Sequence, residues 1–351
     1  MSKRRRKTGA SSKKQARGVE PPPASSRARS RVLAVTFSLA LALVGAEVAL
    51  RAVGFEYQLR INVIRNTAPN PDTILDHFDL DPELLWVRGD YQEILDQALE
   101  ERPPIVFMGD SCTHLGRYHS YLMGAVSDTL GRPVPYANLA SAGWTTVQGV
   151  AQMKRDVARI RPQIATIYYG WNDHWLSIGV EDREALKLAG MPWFQFQELR
   201  LDQLLLKAVV AAKSDDPRPV RVPLGSFKKA LLELTDEAAK IGVVPVLLTA
   251  PSSHAVGAEP EYLGERWLAD LRELVPMHQR YVSAVREVAR DRNVPLCDLA
   301  ADFERISIER RRQRLFQEDG IHMQDAGDRA LAVALYRCFE DYSLMPYFEQ
   351  P

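Results

Sequence analysis

The sequence predicts an α/β domain built on a parallel sheet, and three observations carry that prediction. From Pro103 onward short apolar runs alternate with longer amphipathic stretches, the pattern of strands joined by helical crossovers. Several runs end in small and polar residues suited to tight turns, as in Gly109-Asp110-Ser111. The stretches between them carry helical periodicity, and "FKKALLELTDEAAKIG" closes on a glycine cap.

Residues 1–31 come before any of this. The chain has 351 residues and a formal net charge of zero, yet 11 of its 45 basic residues and one acid, Glu20, precede Val32. The remaining 34 basic and 44 acidic residues leave the rest of the chain at about −10. A folded part this acidic is not expected to bind nucleic acid, which needs clustered Lys and Arg. Charge, Pro and Ser dominate residues 1–31, so that segment is expected to be a disordered basic tail.

Residues 32–50, "VLAVTFSLALALVGAEVAL", contain one charged residue, Glu47, and are flanked by Arg31 and Arg51. At 1.5 Å per residue this helix covers roughly 28 Å, about one hydrocarbon core. It reads as a transmembrane signal anchor. Basic residues stay on the cytoplasmic side, which places everything after Arg51 in the periplasm or outside the cell. A cleaved signal peptide is the rival reading, because Val44-Gly45-Ala46 offers small residues to a peptidase. Both readings export the domain.

Residues 51–102 read as a stem packing on the catalytic domain, with one helix over "YQEILDQALEE". The domain itself spans 103–347, with strands expected in 104–109, 134–140, 163–170, 243–251 and 294–299. Residues 174–223 interrupt the alternation with "MPWFQFQ" and "DDPRPVRVP" and read as an insertion or lid. Cys112, Cys297 and Cys338 lack metal-ligand spacing, so no metal is expected. Cys297 and Cys338 can pair in an oxidising compartment, but separate buried thiols are the default expectation.

In open α/β sheets functional residues gather beyond the carboxyl ends of strands. There the sequence places Ser111 after the first run, Gly143 after the second and Asn172 after the third, with Asp319 and His322 three residues apart before the last helix. A serine hydroxyl becomes a nucleophile when an imidazole takes its proton, and a carboxylate must orient that imidazole. His322 and Asp319 suit those roles. The N–H groups of Ser111 and Gly143 and the Asn172 amide suit an oxyanion hole.

In this order, GDS, Gly, GxND and DxxH, the chain resembles the SGNH (GDSL-like) hydrolase superfamily over about Pro104 to Tyr342. The resemblance implies a three-layer α/β/α sandwich, a Ser111 nucleophile, a His322 base oriented by Asp319, and an oxyanion hole of Ser111, Gly143 and Asn172, with no cofactor. Met323 replaces the Pro that often follows the histidine, and the 174–223 insertion is long. The expected activity is a serine esterase removing a small, acetyl-type acyl group from an envelope or extracellular substrate. The alternatives are an O-acyltransferase acting on an exported polysaccharide and a catalytically silent envelope-binding protein of the same fold.

Other residues invite bland readings. Asp173 reads as a loop residue, Arg221 as a surface ion pair, and Cys112 as a structural thiol turned away from the pocket. His114, His119 and His254 read as solvated or structural, and His174 as a border to the insertion. Met191 to Phe196 read as a packed aromatic cluster.

Overall fold

The computed structural model describes residues 26–67, 76–191, 198–213, 216 and 218–349. Expectations for residues 1–25 and for the aromatic cluster beyond Met191 lie outside the described residues. The chain divides into two compact units with the boundary after Gly54.

Among the described residues the first unit holds one helix, Ser26–Ala52, so residues 26–31, expected to belong to a disordered tail, are helical. It is long and apolar enough to cross a membrane, as an anchor or as a signal sequence. Near its carboxyl end Arg51 pairs with Glu47 at 2.7 Å, one turn earlier.

In the second unit five strands form one parallel sheet. A short antiparallel hairpin, β1 (Phe78–Asp81) and β2 (Leu85–Arg88), precedes it. The sheet strands are β3 (Ile105–Gly109), β4 (Tyr136–Asn138), β5 (Ile164–Tyr168), β6 (Val244–Leu248) and β7 (Leu296–Cys297), in the spatial order β4-β3-β5-β6-β7. Ile105 stands beside Tyr136 on one flank and Ile164 on the other. Each expected apolar run contains one of these strands.

Alternation along the strands explains the layers, because successive side chains leave a sheet on opposite faces. Val106, Met108, Ala165 and Ile167 enter one core, which includes Leu231 and Leu234 of the helix Leu224–Lys240 and Val285 and Val288 of the helix Leu274–Arg292. Ile105, Phe107, Ile164 and Tyr168 enter the other, with Leu122 of the helix Tyr118–Leu130 and Leu335 of the helix Asp325–Asp341. Both faces are covered, so the strands read as continuous apolar runs. The result is the three-layer α/β/α sandwich.

The hairpin and the helices Leu59–Thr67 and Tyr91–Glu101 contribute Leu59, Val63, Trp86 and Leu95 to the first core. Within 174–223 lie the helices Asp182–Ala189 and Arg200–Lys213 and a single bridge between Leu176 and Val220. Arg221 departs from its expected surface position. It is buried and pairs with buried Asp182 through contacts of 2.6 and 3.1 Å, tying the end of this segment to its start. Cys297 and Cys338 are joined in a disulfide rather than standing as separate thiols, linking β7 to the last helix.

Candidate active site

The order in which successive strands join the sheet reverses at β3, whose neighbours β4 and β5 lie on opposite sides, and the crevice at such a point is where ligands settle. Ser111 follows β3 there. Gly109 packs so closely that an added Cβ would clash with Thr113 Oγ1 and meet the Tyr168 carbonyl oxygen at 2.9 Å, so this turn excludes any side chain. Asp110 caps the four-residue helix Ser111–His114 by accepting from the Cys112 N–H at 2.9 Å.

Across the crevice, the loop before the helix Asp325–Asp341 brings His322 to the serine. Ser111 Oγ lies 2.8 Å from His322 Nε2, and His322 Nδ1 lies 2.5 Å from Asp319 Oδ2. The other Asp319 oxygen accepts from the backbone N–H groups of Ile321 and His322 at 2.8 and 2.9 Å. Burial raises the Asp319 pKa, but the hydrogen bond and charge of His322 outweigh it and leave the carboxyl below its ordinary range. Burial likewise works against protonated His322, and the bond to Asp319 with that carboxylate's charge more than compensates, so the imidazole lies above its ordinary value. Ionised Asp319 therefore favours the Nδ1–H tautomer, leaving Nε2 to accept from the Ser111 hydroxyl.

Gly143 sits beyond β4 with φ +80°, a conformation that favours glycine, and a Cβ there would meet Thr67 Oγ1 at 2.7 Å. Asn172 lies beyond β5, its amide donating to Asp110 Oδ2 at 3.3 Å and to the Trp144 carbonyl at 3.1 Å. Burial lifts the Asp110 pKa to about 6. All five residues singled out from the sequence border one cavity of about 1270 Å³.

That cavity also shows what the sequence reading missed. His77, Phe78, Arg88 and Asp90 of the hairpin region form part of one wall, and Trp171, Trp175, Tyr262 and Trp267 contribute aromatic surface. Their sequence separation hides this meeting. His114, read as solvated or structural, lines the cavity, and its Nδ1 accepts from the Ala142 N–H at 3.1 Å. His254 is buried with its Nε2 2.8 Å from the Asp319 carbonyl oxygen. Only its position after β6 could have flagged it.

One further expectation changes. Asp173 is buried rather than an ordinary loop residue. It accepts from the N–H and hydroxyl of Thr146 at 3.0 and 2.5 Å, and burial lifts its pKa to about 7. His174, at the border of the insertion, is buried 3.3 Å from His278. Cys112 is buried outside the cavity lining, and burial raises its thiol pKa well above the ordinary value. Among the described residues no His, Cys, Asp and Glu group has metal-binding geometry.

A parallel sheet covered on both faces, with serine, histidine and aspartate in hydrogen-bond sequence at its carboxyl edge, fits an α/β/α hydrolase acting through a serine. Residues 107–330 match the model of the GDSL-like lipase/acylhydrolase family, and the chain belongs to that family. Among solved structures, a lipase/acylhydrolase from Enterococcus faecalis aligns at 16% identity and a TM-score of 0.45, over 68% of this chain and 95% of that one. The acetylxylan esterase Axe2 from Geobacillus stearothermophilus aligns at 18% identity and a TM-score of 0.44, over 67% and 93%. No curated protein matches the chain.

Proposed function

We propose that this acyl-ester hydrolase is an exported serine esterase, with Ser111, His322 and Asp319 as its triad, removing a small acyl group from an envelope or extracellular substrate. The observation that carries the mechanism is the continuous path from Ser111 Oγ to His322 at 2.8 Å and on to Asp319 at 2.5 Å. As Ser111 Oγ attacks the ester carbonyl carbon, His322 Nε2 takes the hydroxyl proton. The carbonyl oxygen becomes negative and receives hydrogen bonds from the N–H groups of Ser111 and Gly143 and the amide of Asn172. The long 3.3 Å contact from Asn172 to Asp110 is the one it exchanges for the oxyanion.

Collapse breaks the bond to the alcohol oxygen, which leaves with the proton from His322, and the acyl group remains on Ser111. Water then repeats the sequence, with His322 again taking a proton and returning it to Ser111 as the acid departs.

The cavity of about 1270 Å³ has room for far more than an acetyl group. Aromatic surface at Tyr262 and Trp267, with polar groups at Arg88, Asp90 and His77, suits a carrier having apolar faces and hydroxyl edges, such as a polysaccharide. Export is supported by the apolar N-terminal helix, the basic residues before it and the Cys297–Cys338 bond, which persists in oxidising compartments. The test is labelling with a fluorophosphonate and mass spectrometry of the modified peptide, followed by a panel of acyl esters with and without polysaccharide acceptors. Label on Ser111 and turnover of short esters support the reading. Label elsewhere overturns the mechanism, preference for long chains overturns the substrate, and acyl transfer to an acceptor makes the enzyme a transferase.

A further inference from the structure

The peptide group on each side of Ala142 is held by a side chain that takes no part in the steps above. The Ala142 N–H donates to His114 Nδ1 at 3.1 Å. Its carbonyl accepts from the indole N–H of Trp86 at 3.0 Å. Trp86 also holds Trp144, whose indole N–H donates to the Trp86 carbonyl at 2.8 Å. Gly143 lies between these two anchors, and a Cβ there would come within 3.2 Å of the Trp86 ring.

This segment is irregular. It follows β4 and precedes the helix Thr146–Gln152; Ser141 N–H donates to the Gly109 carbonyl and Trp144 N–H to the Ser141 carbonyl, each at 3.3 Å, and between them the Ala142 peptide groups are held by side chains. An oxyanion donor acts only if it is in place before the charge develops. Trp86 is fully buried, and burial depresses the His114 pKa to about 4, so the imidazole is neutral near pH 7 and its Nδ1 keeps the lone pair that Ala142 needs. Trp86 lies outside the residues 107–330 that match the family.

We propose that Trp86 and His114 are positioning residues of the oxyanion hole, which grip Ala142 from opposite sides and so orient the Gly143 N–H toward the developing negative oxygen. The proposal rests on the role given above to Gly143. It makes the hairpin region, and not the family core alone, part of what sets the catalytic rate.

The test uses the full chain in detergent and a short ester. Trp86→Phe keeps an aromatic ring against Gly143 and removes the indole donor. Because losing a whole oxyanion donor costs about 10²- to 10³-fold, misaligning one is expected to lower kcat about 5- to 50-fold with KM within twofold. Affinity for a boronic acid that forms a tetrahedral anion on Ser111 should fall by a similar factor. His114→Leu should behave likewise. His114→Asn, whose amide oxygen can occupy the place of Nδ1, should recover most of the lost rate, and the histidine pair carries the test if Trp86→Phe does not fold. Unchanged kcat in Trp86→Phe and His114→Leu overturns the proposal, as does a loss of rate without loss of boronate affinity. Ser111→Ala is measured beside them: full activity there removes the underlying mechanism, whereas an inactive Ser111→Ala beside fully active Trp86→Phe and His114→Leu removes only the positioning role.

Discussion

His254 Nε2 lies 2.8 Å from the carbonyl oxygen of Asp319, so a buried imidazole after β6 holds the loop that orients the proposed base. Its Nδ1 is 3.0 Å from Ser252 Oγ, which fixes the ring from the other side. Burial lowers the His254 pKa, keeping it neutral, with Nε2 as donor and Nδ1 as acceptor. A neutral hydrogen bond contributes about 0.5–1.5 kcal/mol, and about 1.4 kcal/mol corresponds to tenfold in rate. His254→Ala should therefore lower kcat by about 2- to 10-fold while leaving Ser111 reactive to fluorophosphonate. Steady-state kinetics beside the rate of labelling measures both.

The pH profile follows from the His322–Asp319 pair. The proposed base role needs neutral His322, and its pKa is raised above the ordinary 6.5 because the bond and attraction to Asp319 outweigh burial. Activity should fall as pH drops, with the acid limb of kcat/KM centred above 6.5. Asp110 also titrates nearby, at about 6, chiefly through burial. Asp110→Asn should shift the limb slightly downward, since its negative charge also favours protonated His322, without abolishing the limb. A limb that vanishes in this variant would assign the titration to Asp110.

Asn172→Ala removes one proposed oxyanion donor. The expected loss is about 10²- to 10³-fold in kcat, with a much smaller change in KM. An unchanged kcat would leave the hole to the two backbone donors and remove Asn172 from it.

Arg221 and Asp182 form a buried ion pair, and Asp182 also accepts from Thr145 Oγ1 at 3.1 Å. Removing one member leaves the other charged and enclosed, a loss of about 3–5 kcal/mol. Arg221→Met should show that loss in denaturant unfolding. A loss below 1 kcal/mol would mean that water reaches Asp182.

The sheet was legible because each strand is buried on both faces and so reads as an apolar run between turn residues. Ser111, His322 and Asp319 were legible as candidates because each follows a strand or precedes the final helix, and the structure brings them within hydrogen-bond distance. Pairwise burial was not legible. Arg221 and Asp182 are 39 residues apart, and only folding encloses them together. The hairpin escaped notice because "FDLD" and "LWVR" are four residues each and too short for a periodic signal. His114 and His254 carry no local sign of their partners, which lie 28 and 65 residues away. For Cys297 and Cys338 the count was legible and the pairing was not, because 41 residues separate them.

The central claim is that Ser111 Oγ is the attacking atom. Hydrolysis of p-nitrophenyl acetate by the full chain and by Ser111→Ala, at equal folded concentration, tests it most directly. Ser111→Ala is expected to lower kcat about 10⁴-fold or more, with the near-ultraviolet circular dichroism unchanged. Turnover by Ser111→Ala within tenfold of the parent would contradict it.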